Sequence, residues 1–290
     1  MKKKLLAVTL AAVMSLAVQA PAFAATDDPN MTAYETPYTT MINAGTADTV
    51  YLMAVPANSS YVATTFDTEA DAAAVEWSVV AGSTAGVSVD EDSIMGLDLG
   101  DGTIVSYAEV NVAANATPGA ASIEAKNPET GAAMNFTVVV NGTDTAKNNI
   151  TYKYYNQTDA NTNTELLTVS NMTVAGTDYY GNTDYPSALD GVFKTWQMTN
   201  NQEGGLKDKT IVNEYDTYVV KSLTFDGHEP LTNYTDANYN YFGWQYRVYR
   251  GGQKLAISEL IGADECALQS GDTVIWKYGQ YGVVSFPSTL

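Results

Sequence analysis

The 290-residue sequence predicts an all-β sandwich followed by a small α+β domain. Three observations lead there. Between residues 34 and 141, short alternating or apolar stretches recur at close spacing with turn residues between them, as in a sandwich. Between residues 150 and 287, similar stretches are interrupted by one segment of helical period. The composition also changes near residue 145. Fifteen of the 20 tyrosines lie beyond residue 150. Lys126 and Lys147 are the sole basic residues from Ala25 to Lys147, whereas nine follow. The polar, Asn- and Gly-bearing stretch at 142–149 reads as the linker between two domains of ordinary size. No repeat of solenoid period occurs.

The chain opens on Lys2, Lys3 and Lys4, then an apolar run from Leu5 to Val18, then Ala22-Phe-Ala24. A positive region, a short apolar region and a small-x-small site make up a secretory signal peptide over residues 1–24. The run is too short for a stable membrane span. No cysteine follows it, so lipid anchoring is not expected. The C-terminal Ser285-Phe-Pro-Ser-Thr-Leu290 lacks an apolar tail. The expected location is therefore extracellular, at the cell surface, or in a periplasm. Removal of three lysines would leave 11 basic against 33 acidic residues. Such acidity disfavours nucleic acid and anionic membrane as partners.

In the first domain, Thr49-Val-Tyr-Leu-Met-Ala-Val55 reads as a buried strand ending at Pro56. Ala74–Val80 alternates, with Val75, Trp77 and Val79 inward. Gly86–Asp90, Ser106–Val112 and Ala120–Ala125 follow. Asn135–Asn141 closes the domain after a hairpin turn at Asn127–Gly131. The Trp77-Ser-Val strand, the Pro118-Gly119 turn and the Phe136-Thr-Val-Val-Val140 strand resemble bacterial Ig-like surface domains. That resemblance implies a spacer or adhesive module with Trp77 in its core, and no chemistry.

In the second domain, Ile150–Tyr155 and Leu166–Val174 read as strands. Leu189, Val192, Phe193 and Trp196 fall on one helical face, and Pro186-Ser187 suits the helix start. Tyr218–Phe225 is a further strand ending at Asp226-Gly227. Trp244, Tyr246 and Val248 alternate with Gln245, Arg247 and Tyr249. After a Gln269-Ser-Gly-Asp272 turn, Val274, Trp276 and Tyr278 alternate with Thr273, Ile275 and Lys277. The Gly243-Trp244 strand, the Gly271-Asp272 turn and the Val-Ile-Trp-Lys-Tyr278 strand resemble the transcobalamin-like C-terminal domain (DUF4430) of secreted bacterial proteins. The resemblance implies extracellular ligand handling, with cobalamin or another corrinoid as one ligand. In vitamin B12 carriers such a domain forms one wall around the corrinoid and a helical barrel forms the other. Here the first domain reads as β throughout, which leaves an open corrinoid site.

Cys266 and His228 are the single cysteine and histidine. They allow neither an internal disulfide nor a zinc site of Cys/His type. Cys266 reads as a small buried residue and His228 as part of the Asp226–Pro230 turn. No nucleophile elbow or phosphate-binding loop is present. Asp90-Glu-Asp92 and Asp98–Gly102 lack the spacing of a calcium loop and read as solvated acidic loops. Among 33 acidic residues no carboxylate pair is marked for glycoside hydrolysis. A non-catalytic binding or adhesion role is therefore expected, with a corrinoid, a glycan or a protein as ligand.

The residues predicted to meet a ligand are Tyr241, Trp244, Tyr246, Trp276 and Tyr278, because large flat rings bury area with few rotors to freeze. The competing reading places Trp244, Tyr246, Trp276 and Tyr278 on the core face of a sheet. Tyr152, Tyr154, Tyr179, Tyr180, Tyr185, Tyr239 and Tyr249 exceed what a core needs and are expected on a recognition surface. Export predicts a mature protein beginning at Ala25. Intact-mass analysis of protein recovered outside the expressing cells checks this, and an uncleaved chain starting at Met1 would contradict it.

Overall fold

The computed structural model describes residues 30–157, 159, 162–176, 184–214 and 217–290. The signal-peptide reading, Tyr179 and Tyr180 lie outside them. The protein is predominantly β-sheet with sandwich-like sheets. No helix among the described residues is long and apolar enough to cross a membrane. Two compact units divide the chain, one holding residues up to Thr117 with Ala121–Val140, the other Pro118–Ala120 with Asn141–Leu290.

The first unit is built from two four-stranded sheets. Strands β1 (Asn30–Ala33), β3 (Asp48–Ala57), β5 (Val87–Asp98) and β6 (Ile104–Val112) form one, in the order β1-β3-β6-β5. Strands β2 (Thr39–Asn43), β4 (Glu76–Val79), β7 (Gly119–Lys126) and β8 (Ala133–Asn141) form the other, in the order β2-β8-β7-β4. Alternate residues of both sheets, Leu52 and Val110 from one and Trp77, Ile123, Phe136 and Val138 from the other, make a single core. The Trp77 and Phe136 rings stack at 5.7 Å. Trp77 Nε1 donates to Ser106 Oγ at 2.9 Å, so a buried hydrogen bond ties the two sheets together across that core.

Three local features differ from the sequence reading. β3 does not end before Pro56 but passes through it. Its pairing with β6 has stopped at Ala54, so Pro56 sits where that neighbour requires no amide. A five-residue helix, α1 (Glu69–Ala73), is capped by Thr68, whose hydroxyl accepts from the Asp71 amide at 3.1 Å. Asp90–Asp92 belong to β5 rather than to a loop, at a bulge between Asp90 and Met95. The extra residues in one strand leave the pairing interrupted there. The Ser93 hydroxyl bridges the gap, donating to the Asp90 carbonyl and accepting from the Glu109 amide.

In the second unit, β9 (Lys147–Asn156), β10 (Thr164–Val174), β14 (Tyr234–Thr235), β15 (Tyr241–Arg250) and β17 (Thr273–Gln280) form the main sheet in the order β10-β9-β17-β15-β14. β16 (Gln253–Lys254) is added beside β15. β9 and β17 run parallel, and the other neighbours are antiparallel. β9 takes in residues 147–149, which the sequence reading left in the linker. A smaller sheet joins β11 (Leu206–Glu214), β12 (Thr217–Phe225) and β13 (Leu231–Thr232).

Helix α2 (Ala188–Thr199) packs against β9, β10 and β11. Ser187 and Asp190 cap it reciprocally, side chain to backbone amide in each direction. The next two amides, of Ala188 and Leu189, donate to the carbonyls of Cys266 and Ala263, each at 2.9 Å. A loop over 261–268 thus completes the start of the helix. Gly191 faces the Tyr152 ring so closely that a β-carbon there would overlap it. Arg250 grips the fully buried Asp272 with two bonds, 3.0 and 2.9 Å, and Asp272 also accepts from the Gln269 amide. A charge removed from water in this way is stable because it is paired and forked.

Ser106→Ala removes the acceptor of a buried indole N–H, which then has neither water nor protein to bond. The expected cost is about 1–3 kcal/mol in chemical denaturation of the first unit. A change below about 0.5 kcal/mol would show that the bond does not hold the sheets together.

Candidate functional site

The two aromatic strands of the sequence reading are direct neighbours. Trp244 lies opposite Tyr278, Tyr246 opposite Trp276 and Val248 opposite Val274. All six side chains share one face of the sheet, and that face is core. Trp244, Tyr246, Trp276 and Tyr278 are each buried. Tyr246 and Trp276 meet tilted at 5.3 Å between ring centroids, Trp244 and Tyr278 likewise at 5.5 Å. Four of the five residues predicted to meet a ligand are therefore packed against one another and against Tyr154 and Phe225. Their polar ends are engaged too. The Tyr246 hydroxyl lies 2.8 Å from the Ile261 carbonyl and 3.0 Å from that of Gly262. Trp244 Nε1 donates to Leu231, and the Tyr278 hydroxyl to Thr232. Only Tyr241 of the five reaches the surface, 38% exposed.

A similar correction applies to Tyr152, Tyr154, Tyr185 and Tyr249, expected on a recognition surface but buried in the second unit. Their hydroxyls serve the packing. Tyr152 donates to Ala188, Tyr185 to Glu265 and Tyr249 to Pro287, all at backbone carbonyls, while Tyr154 donates to Thr195 Oγ1. The last residues of the chain pack on the opposite face of the sheet, beside Arg247 and Lys277. Lys277, itself buried, donates to the Ser285 carbonyl at 2.7 Å, and Phe286 lies under the cations of Arg247 and Lys277.

In the second unit, exposed aromatic rings gather at the β14–β15 hairpin and beside it. Tyr239 is 91% exposed and Tyr234 49%. Tyr234 pairs with Phe242 across the hairpin, and their rings stack at 4.8 Å with 2° between planes. On the other side Tyr241 meets Tyr281 edge-on at 5.1 Å. The turn between the strands is fixed by Asp236. Its carboxylate accepts from the amides of Asn238 and Asn240, both at 2.8 Å, and from Asn240 Nδ2 at 2.9 Å. Bonds from Asn240 and Asn238 hold the Asp236 carboxyl below its ordinary range. Tyr239 is thereby held in the left-handed region at φ 64°. The sequence reading found Tyr239 and Tyr241 but missed Tyr234, Phe242 and Tyr281. The Asp236-Ala-Asn-Tyr-Asn240 segment was the available signal, since Asp and Asn mark such turns.

The acidic candidates do not converge on a cleft. Asp90, Asp98 and Asp101 each accept from a backbone amide two residues on. A shallow groove of about 350 Å³ in the first unit is lined by Asp48, Thr49, Ser88 and Asn111 among others, with one carboxylate. No cluster of three potential metal ligands occurs among the described residues. His228 is exposed in its turn, and Cys266 is buried and free, its thiol pushed up to about 12 by burial. Two adjacent carboxyls, Asp264 and Glu265, are raised from their ordinary range by burial, in the loop that caps helix α2. Asp264 accepts from Thr217 Oγ1 and the Tyr218 amide. Burial and the neighbouring Asp264 charge raise Glu265 to about 7.

No family model matches the chain, and no curated protein sequence matches it. Among solved structures, the chain is similar to titin domains Z1Z2 in complex with telethonin at 11% identity and a TM-score of 0.21, covering 90% of this chain and 100% of that one. A chimeric titin Z1Z2 carrying a KLER peptide from decorin gives 12% identity and a TM-score of 0.20, covering 89% of this chain and 99% of that one. Overlaps of this size carry no argument about fold or function.

Glu265 holds its proton more tightly in the folded protein than in the unfolded chain, where 4.5 is the ordinary value. Its contribution to stability is therefore complete below about pH 4.5 and is lost as pH rises through about 7. Glu265→Gln should flatten the fall in stability across that window, measured as the thermal midpoint against pH. An unchanged slope would place the titration elsewhere.

Proposed function

We propose that the protein is an exported, non-catalytic binding or adhesion protein of the cell surface or extracellular space. In this reading the first unit is an Ig-like spacer and the second a transcobalamin-like module that carries the contact surface. The observation that carries it is the hairpin tip, where Tyr234, Tyr239 and Tyr241 project from a turn locked by Asp236. Exposing large rings on a rigid support is unfavourable for folding alone but lowers the ordering cost of binding.

Support for export comes from the lysine-rich start, the short apolar run and the Ala22-Phe-Ala24 site. Support for a binding role over catalysis comes from Asp98 and Asp101, turned onto their own backbone, and from Asp264, buried in the helix-capping loop. The spacer reading rests on the two-sheet core around Trp77, which resembles the Ig-like pattern in residue order. The module reading rests on the order of strands and helix and on the Gly243-Trp244 and Trp276-Lys-Tyr278 strands.

Labelled mature protein should be retained on at least one of two surfaces, intact bacterial cells or mucin-coated wells. Replacing Tyr234 and Tyr239 by alanine together should lower retention about tenfold, with circular dichroism unchanged. Equal retention of the variant, or no retention of the wild type on either surface, would overturn the reading.

A further inference from the structure

We infer that the hairpin tip binds a neutral carbohydrate, an inference that rests on the binding role proposed above and names its ligand class. A pyranose ring has one face of C–H bonds and a rim of hydroxyls. It needs an aromatic face to cover the first and neutral hydrogen-bonding groups for the second. The tip supplies both. Tyr234 lies flat on Phe242, so its outer face is presented to solvent on a backed, immobile ring. Tyr239 stands clear of the surface at the apex of the turn, and Tyr241, on the other face of the hairpin from Tyr234, is braced edge-on by Tyr281. Each of the three exposed tyrosines ends in a hydroxyl that can both donate and accept.

The charges near the tip are already committed. Asp236 is consumed by three bonds within the turn. Lys221, whose charge is felt at Tyr241, is paired with Glu214 at 3.1 Å. The chain as a whole carries 33 acidic against 14 basic residues. A sulfated, sialylated or uronic acid glycan would meet this excess of like charge, and among the described residues Lys221, the cation nearest Tyr241, is already paired. An uncharged sugar meets no such repulsion. A protein partner, by contrast, would draw on a broader apolar surround than the turn provides, because Ala237, Asn238 and Asn240 flank Tyr239.

The test is a printed array of neutral and acidic oligosaccharides probed with the full mature protein. Two variants accompany it, Tyr239→Ala and Tyr234→Ala, with Tyr51→Ala in the first unit as an exposed control. Retention on neutral spots, reduced about tenfold by each tip variant and unchanged by the control, is the expected result. Circular dichroism of each variant should match the wild type, which separates lost contact from lost folding. Retention on acidic spots alone, or neutral binding that survives both tip variants, would overturn the inference. If no glycan is retained while cells still capture the wild type and not the tip variants, the sugar inference fails and the binding role stands. If neither array nor cells nor mucin retains the protein, both fall.

Discussion

A buried tyrosine must find a partner for its hydroxyl, and the second unit depends on how that requirement is met. Burying an unpartnered hydroxyl costs on the order of 1–3 kcal/mol, enough to cancel much of the gain from burying the ring. Here the partners are mostly backbone carbonyls on loops. Tyr152 reaches the first turn of helix α2 through Ala188, Tyr185 and Tyr246 reach the 261–268 loop, Tyr278 reaches Thr232, and Tyr249 reaches Pro287 near the C-terminus. Each ring fills the core, and the hydroxyls of Tyr185, Tyr246 and Tyr249 fix irregular chain that has no ladder of its own. Satisfaction is not complete, since Trp276 Nε1 and Gln245 Nε2 are buried with no hydrogen-bond partner among the described residues.

The same requirement separates the aromatic residues into structural and accessible groups. A ring that can send its hydroxyl to a nearby carbonyl is drawn inward. A ring at the hairpin tip has no such carbonyl within reach, and Asp236 has already organised the local backbone. Helix α2 shows how tightly the inward group is fitted. Gly191 is the residue that lets the helix approach Tyr152, and Thr195 receives the Tyr154 hydroxyl while donating to the Gly191 carbonyl. The first unit solves a smaller version of the problem with one indole, whose N–H crosses the core to Ser106.

Much of this architecture was legible in the sequence because side-chain alternation is a direct imprint of the pleat. The strands around Trp77, Val110, Val138, Trp244 and Trp276 were readable on that basis. β1, β2 and the five-residue α1 were not, being too short to show a period. β11 was missed because Leu206–Glu214 alternates lysine and aspartate with few apolar residues, and its inner face is defined by α2, which the local pattern does not contain. Of the helical face, Leu189 and Val192 are buried as the periodicity requires, while Phe193 and Trp196 are half-buried and hold the Lys209 ammonium over their rings. The location of the tyrosines was the least legible feature. Tyrosine is equally suited to core and contact surface, and the choice depends on whether a distant loop brings a carbonyl to its hydroxyl. The stacking of Tyr234 on Phe242 depends in the same way on a register set by a turn.

Limited nitration of the folded protein, mapped by peptide mass spectrometry, measures this division most directly. Tyr239 should be modified first, with Tyr234 and Tyr241 following. Tyr152, Tyr154, Tyr185, Tyr246 and Tyr249 should stay unmodified until denaturant unfolds the second unit, and then react together. Modification of Tyr152 or Tyr246 in the folded protein at the rate of Tyr239 would contradict the assignment of these residues as the tethers of the core.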